Sequence, residues 1–416
     1  MTQFWVGGYG ADMGGDATGI GLLEGDEGRE PDTLAYRGAV TQTASPSWLA
    51  RHPSLDVVYA ALESDGTVQA FARTGQSTLA PMGRAVEAGD SVCHLAVAPS
   101  GAYLIASCYG DGRVVRIGLS ADGSLGKPTV SAPARDPYNP DAAQDAMGPD
   151  VEPASAQEIA AAMLRGGSMT FEQPSAEDVP AEATPRVGLL LFDEMLGLNP
   201  APEPEPDTES EPDEQPARAS HSHAAAFLPD GRIATTDLGF DLVRIWRPVA
   251  GGLTLDHEIV LPMGTGPRHM VVHPSGHLHV VTEYSCEIFT LAAQPDGRWA
   301  LAAATLATPA AEIGTDFPAE LARSRDGATL YTALRGSNTI AALRVSGAGE
   351  SVEPFALAES GVDWPRHHLV HDGALLVAGQ RSNEISVLDL DDRTGAPRGI
   401  RHRTSAPAPT SLLLAR

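Results

Sequence analysis

The chain has 416 residues, 42% of them hydrophobic, and a formal net charge of -26 at pH 7. So acidic a surface, with Lys127 the only lysine, repels phosphate backbones and anionic bilayers, and neither nucleic acid nor a membrane is expected as a partner. No apolar run reaches about 18 residues, no basic-then-apolar leader opens the chain, and three sparse cysteines (Cys93, Cys108, Cys286) predict reduced thiols in a cytoplasmic protein.

In chain order, Phe4 to Tyr9 reads as a second strand and Gly19 to Leu23 as a third, with no first strand before them. Full units follow: PSWLARHPSLDVVYAALESDGTVQAF from Pro46, CHLAVAPSGAYLIASCYGDGRVVRI from Cys93, and HSHAAAFLPDGRIATTDLGFDLVRIW from His221. GPRHMVVHPSGHLHVVTEYSCEIFTL from Gly266, PAELARSRDGATLYTALRGSNTIAAL from Pro318 and PRHHLVHDGALLVAGQRSNEISVLDL from Pro365 complete the set. Each is a β-branched run cut by Pro-Gly and Ser-Asp-Asn-Gly turns into three short antiparallel strands.

The first turn of each unit falls at Pro53, Pro99, Pro229, Pro274, Arg325 and about His371, in steps of 46, 130, 45, 51 and 46. A period in the forties with several strands per unit predicts an all-β propeller. Pro409 to Leu414 supplies the first strand that the N-terminus lacks. Pairing the two ends in one shared blade gives seven blades and leaves no open sheet edge.

The long step implies an insertion at about 133–218 within a single domain. Ser155 to Glu158 has capping-box spacing ahead of Ile159, Met163 and Leu164, and Val187 to Leu198 reads as a second short apolar element. Glu203 to Glu214 holds seven acids and no base among prolines, a composition that predicts disorder. A solvated spacer is the default reading, and a protein-docking arm the alternative.

In a propeller the first strand of every blade lines the channel, so equal phase implies proximity. One ring comprises Ser47, Cys93, His223, Arg268, Ala319 and Arg366, and the next Trp48, His94, Ala224, His269, Glu320 and His367. A third ring, at the end of the second strands, comprises Glu63, Tyr109, Leu238, Glu283, Arg335 and Gln380; His221 and Asp237 sit just off phase. Charged groups gathered at one channel mouth are costly to desolvate, which favours a binding or catalytic site. The competing reading is that these groups hydrogen-bond to one another and hold the blades in register. His52, His257 and His402 read as surface groups.

The motifs ASCYGDGRVVRI, HSHAAAFLPDG, TDLGFDLVRIW, GPRHMVVHPSG, ALRGSNTIAAL and PRHH resemble the seven-bladed propeller lactonases, the family of the propeller-type 6-phosphogluconolactonases and fungal muconate lactonising enzymes. The resemblance implies a site of one His, two Arg and one Glu, matching His221 or His223, Arg268, Glu283 and Arg335. The chain departs from the pattern in its acidic insertion, in Arg325 at a turn proline and in a shortened last blade.

Residue chemistry then gives a mechanism: His223 or His221 as base, Arg268 on the carbonyl oxygen, and Glu283 as orienter. Arg335, Arg366 and His367 would hold an anionic tail, with Tyr109, Asp237, His269, Glu320 and Gln380 as further substrate contacts. A Gly-x-Ser-x-Gly elbow is missing, as are His-Glu-x-x-His and clustered Asp-Asn ligands, so neither an acyl-enzyme nor a metal or other cofactor is expected. The expected substrate is a small anionic lactone acted on by a monomer; the alternatives are a lactonising or cycloisomerising reaction on a dicarboxylate and a non-catalytic interaction scaffold.

Overall fold

A strand with one apolar row must bury it against a neighbouring sheet. In the computed structural model of the chain, which describes residues 2–25, 34–139 and 218–415, seven four-stranded antiparallel sheets do this for one another. The inner strands are Pro409–Leu414, Pro46–Arg51, Val92–Val97, Ser222–Phe227, Pro267–Val272, Phe317–Arg323 and Pro365–His371, for blades 1 to 7. Each touches the next around the axis, and the inner strand of blade 7 touches that of blade 1, so the ring is closed.

Closure is made as the sequence predicts: Pro409–Leu414 pairs with Gln3–Gly8, which continues into Gly19–Gly25 and Leu34–Gln42. The blades have four strands and not the three read from sequence. The outer ones, such as Trp299–Leu306 and Pro397–Ser405, are largely exposed and lack the apolar signature of the inner three. The core lies between blades. Tyr59, Leu104 and Ile117 fill one interface and Ile245, Val280 and Phe289 another, each fully buried side chain stabilising by about 1.5–3 kcal/mol.

Two sets of hydrogen bonds hold neighbouring blades in register. The residue that opens the third strand adopts a left-handed conformation, at φ 55° for Asp241, 58° for Asn338 and 55° for Asn383, a region that Asp and Asn tolerate. Their side-chain oxygens accept the N–H of Gly266, Trp364 and Ala408, the residue before the inner-strand proline of the next blade, at 2.8, 2.9 and 2.7 Å. The second set is a belt around the axis. Ser411 Oγ accepts Leu49 N–H, Trp48 Nε1–H donates to Leu95 O, and His94, His269 and His367 accept through Nδ1 from Ala225, Leu321 and Leu412.

The belt also crosses the channel. The Trp48 ring lies 4.4 Å from His94, 5.6 Å from His269 and 5.2 Å from His367 between centroids. The ring of side chains nearer the mouth therefore sits beside a cluster of aromatic rings that meet across the axis.

His52 and His257, expected at the surface, are buried between blades. His52 Nε2 meets Gly101 O and its Nδ1 accepts from Leu55 N–H, while His257 Nε2 accepts from Trp299 N–H. His402 is half-buried against Leu34 O. All three occupy turns or outer strands, where the polar pattern gave no sign of the neighbouring blade. The three cysteines are free and buried, as expected.

The expected elements at Ser155–Leu164 and Val187–Leu198 and the acidic tract 203–214 lie outside the described residues. The stems of that segment are docked: Tyr138 Oη donates to Leu261 O at 2.6 Å, and Arg218 pairs with Asp136 at 2.7 Å and with Asp241. No helix among the described residues is long and apolar enough to cross a membrane.

Deleting Pro409–Arg416 removes the inner strand of blade 1 with buried Leu412, and each buried leucine lost costs about 2–5 kcal/mol. The truncated chain should melt at least 10 °C lower than the full chain, by the scale on which about 1 kcal/mol moves Tm by a few degrees; an unchanged thermal transition would contradict closure through this strand.

Acid should destabilise the ring well above carboxylate pH. Burial first, and neighbouring cationic or histidine groups second, pushes His94, His279 and His367 down to about 3 and His269 well below its ordinary value, and burial alone lowers His368 to about 4 against a hydrogen bond to Tyr331 O. Between those values and the unfolded pKa of about 6.5 the unfolded chain binds more protons. Stability is therefore complete above that range and lost as pH falls, at up to about 1.4 kcal/mol per pH unit for each group. Glu63, Asp241, Glu287 and Glu320, raised by burial, act in the opposite sense and are fewer than the depressed histidines. A melting temperature that stays flat from pH 7 to pH 4 would sink this account.

Candidate active site in the channel

Six of the seven inner strands open on a proline, on a residue and a proline, or on a serine, and the residue that follows holds the same phase in each blade. This places Ser47, Cys93, His223, Arg268, Arg366 and Thr410 around one mouth, with Glu63, Glu283 and Arg335 reaching the same space from the ends of second strands.

Glu283 is the centre of the charged group. Its Oε2 lies 2.8 Å from Arg268 Nε and 2.9 Å from Arg335 Nη2. Burial works against the carboxylate, but Arg335 and Arg268 outweigh it and hold Glu283 below the usual carboxylate range. Burial and the Arg335 charge bring Arg268 down to about 10, so it stays protonated at neutral pH. The Arg268 Nε–H is not aimed at its partner: the contact is an ion pair without a hydrogen bond. Arg335 is held on two further sides, donating through Nε to Phe317 O at 2.9 Å and lying 5.3 Å above the Trp364 ring.

The histidines flank this group on blade 4. His223 is buried, and its Nδ1 has no partner among the described residues. Burial, then Arg268 and Arg366, pushes it well below its ordinary value and keeps the ring neutral. His221 is half-buried, stacked on Tyr109 at 4.4 Å and fixed by its Nδ1 at 2.7 Å from Tyr109 O. Asp237 supports that arrangement from behind, its oxygens accepting from His221 N–H, Phe240 N–H and Ser220 Oγ–H. The Tyr109 phenol is pushed up, by burial first and the Glu283 carboxylate second.

The remaining predicted contacts separate by layer. Arg366 is half-buried, lies 5.1 Å above the Tyr9 ring, and makes no ion pair or hydrogen bond through its guanidinium among the described residues. His269 and His367 belong to the floor, each turning Nδ1 to the backbone of the next blade: His269 Nδ1 lies 3.2 Å from Leu321 O and 3.3 Å from Leu321 N, and His367 Nδ1 accepts from Leu412 N–H. The competing reading, in which ring-phase residues hold blades in register, thus describes these two. Glu320 lies beside them, Oε1 at 3.6 Å from His269 Nδ1 and 4.0 Å from His367 Nε2, with Oε2 unpartnered and its pKa well above the ordinary value through burial. Gln380 has a buried, unpartnered Oε1 and no contact with the charged group.

Three residues at the site escaped the sequence reading: Tyr9, Tyr284 and Trp364. Tyr9 was findable, because it follows the second strand of blade 1 as Glu63, Tyr109 and Glu283 follow theirs. Its Oη donates to Glu63, 3.2 Å from each carboxylate oxygen. Among the described residues no cluster of His, Cys, Asp and Glu has the geometry to hold a metal ion.

The family model for the seven-bladed beta-propeller lactonases matches residues 3–149 and 201–414. An uncharacterised protein of Lactococcus lactis subsp. lactis is 30% identical over 180 residues, 42% of this chain and 53% of that one. A 6-phosphogluconolactonase of Bacillus subtilis is 27% identical over 195 residues, 45% of this chain and 56% of the relative. The matched stretch thus spans about half the length of these relatives. A Lactobacillus plantarum protein shares the fold at TM-score 0.72 and 20% identity over 100% of both chains. The periplasmic gluconolactonase of Pseudomonas aeruginosa does so at 0.73 and 18%, over 100% of this chain and 99% of that one. With the family model covering both sides of the insertion, the chain belongs to the lactonase family of seven-bladed β-propellers.

Proposed function

We propose that the channel hydrolyses an anionic sugar lactone of the 6-phosphogluconolactone type. The observation that carries the reading is a surplus of buried positive charge. Arg268, Arg335 and Arg366 face one carboxylate held firmly ionised, Glu283, and the surplus persists even with Glu63 ionised. Uncompensated guanidinium in a desolvated pocket is costly without an anion to receive it. In a protein of net charge -26 it is a local reversal of sign.

The chemistry divides among the residues as follows. Neutral His223 takes a proton from water as the oxygen attacks the lactone carbonyl carbon. Negative charge collects on the carbonyl oxygen, where Arg268 can donate, since Glu283 neutralises it without consuming its N–H directions. The ring C–O bond then breaks, and the departing oxygen takes the proton back from His223. Glu283 keeps Arg268 in place and is itself locked by Arg335, so Arg335 is a positioning residue, and the free cation for the substrate's phosphate or carboxylate is Arg366. That anion would also restore basicity to His223 by offsetting the arginines that depress it.

Arg268→Lys keeps the charge and loses the planar fork. Turnover of 6-phosphogluconolactone should fall about a hundredfold or more, measured by product formation at a pH where spontaneous opening is slow. A rise confined to KM would mark Arg268 as a uniform binding group.

Arg366→Gln should raise KM for the phosphorylated lactone about tenfold or more and for glucono-δ-lactone by a distinctly smaller factor. Equal losses on both would remove Arg366 from the anion site. A chain that opens no lactone at all would refute the hydrolytic reading.

A further inference from the structure

Across the channel from Glu283, three blades round the ring, stands a second buried carboxyl that the hydrolytic chemistry does not use. Glu63, on blade 2, is buried, and its carboxyl receives one hydrogen bond, shared between its two oxygens, from Tyr9 Oη at 3.2 Å. Ser47 Oγ is close enough to polarise it but makes no hydrogen bond of good geometry. Arg366 lies on the other side of Tyr9, its guanidinium over the phenol ring. It influences Glu63 electrostatically, yet the two do not close into an ion pair.

A carboxylate offers about four acceptor positions and a guanidinium five donors. Here most of the first and all of the second are unfilled among the described residues, within one narrow mouth. Unfilled buried polar groups are expensive, and had the pair needed only each other it would have closed. A donor wall and an acceptor wall that face one space without meeting call for a group that accepts from one and donates to the other. A hydroxyl does both. A second carboxylate does not, because it would meet Glu63 as a like charge or as an acceptor facing an acceptor.

We propose that Glu63, held by Tyr9 and flanked by Arg366, is a hydroxyl-reading centre that selects polyhydroxylated ligands over equally charged ones that lack hydroxyls. This rests on the channel being the ligand site and deepens the lactone reading: the sugar hydroxyls lie against blades 1, 2 and 7, and the reacting carbonyl against blades 4 and 5. It also argues against a dicarboxylate as the favoured substrate.

The test is calorimetric binding of two monoanions of equal length, gluconate and hexanoate, to the full chain. The unaltered protein should bind gluconate at least about tenfold more tightly. Glu63→Gln should shrink that ratio to about two or less, while hexanoate binding and the melting temperature stay put. Tyr9→Phe, which frees the carboxyl from its only hydrogen-bond donor, should lower the ratio by a smaller factor. A wild-type ratio near one, or a ratio that survives Glu63→Gln, overturns the proposal. A Glu63→Gln loss equal for gluconate and hexanoate also overturns it, since Glu63 would then be shaping the pocket and not reading hydroxyls. Turnover is scored separately: a gluconate preference that vanishes in Glu63→Gln, in a chain that opens no lactone, leaves this centre standing and refutes hydrolysis.

Discussion

One carboxylate oxygen, Glu283 Oε2, ties together the groups on which the site depends. It neutralises Arg268 from its own blade and Arg335 from the next at 2.8 and 2.9 Å. Two guanidiniums cannot approach each other in a desolvated pocket without such a bridge, so removing Glu283 would disperse both. The bridge is geometrically unequal: Arg335 also donates to the backbone of its own blade, whereas the Arg268 Nε–H is paired electrostatically without a hydrogen bond. That inequality suits the proposed division, in which one arginine braces and the other meets the carbonyl oxygen.

The fold makes this arrangement affordable by separating two jobs into two layers. Deeper in the channel, Trp48, His94, His269 and His367 spend their polar atoms on the backbone of adjacent blades and their rings on one another. This layer fixes the angle between blades. The layer above inherits a rigid frame, and there His223, Arg268 and Arg366 can carry unfilled hydrogen-bonding capacity. Both layers come from neighbouring positions on the same inner strands, so a single residue of register separates structural from reactive side chains.

Much of this was legible because a propeller converts sequence phase into angle about an axis. Counting back from the turn prolines places Arg268, and counting back from the start of each third strand places Glu283 and Arg335, at one mouth, and the split blade follows from an N-terminus without a first strand. Phase alone could not say which ring faced up and which formed the floor. His269 and His367 therefore read like Arg268, although their Nδ1 atoms are spent on Leu321 and Leu412. Tyr9 was passed over because the count used six whole copies and the seventh is divided between the ends. Tyr284 and Trp364 sit at hairpin tips and blade junctions, where no period applies, and the burial of His52 and His257 depends on neighbouring blades that a local pattern does not contain.

The sign of the charge sets a last constraint. At a net -26 the protein repels an anion at long range, but fields between exposed charges fade beyond a Debye length of about 8 Å at physiological salt. Inside the mouth the arginines are screened far less, so the attraction is short-ranged and the repulsion is largely quenched. An anionic ligand of the proposed kind would therefore be captured only once it had entered, where it would meet donors on Arg268 and Arg366 together with an acceptor on Glu63. Charge alone would admit any small anion; the placement of donors and acceptors within the mouth is what can tell one anion from another.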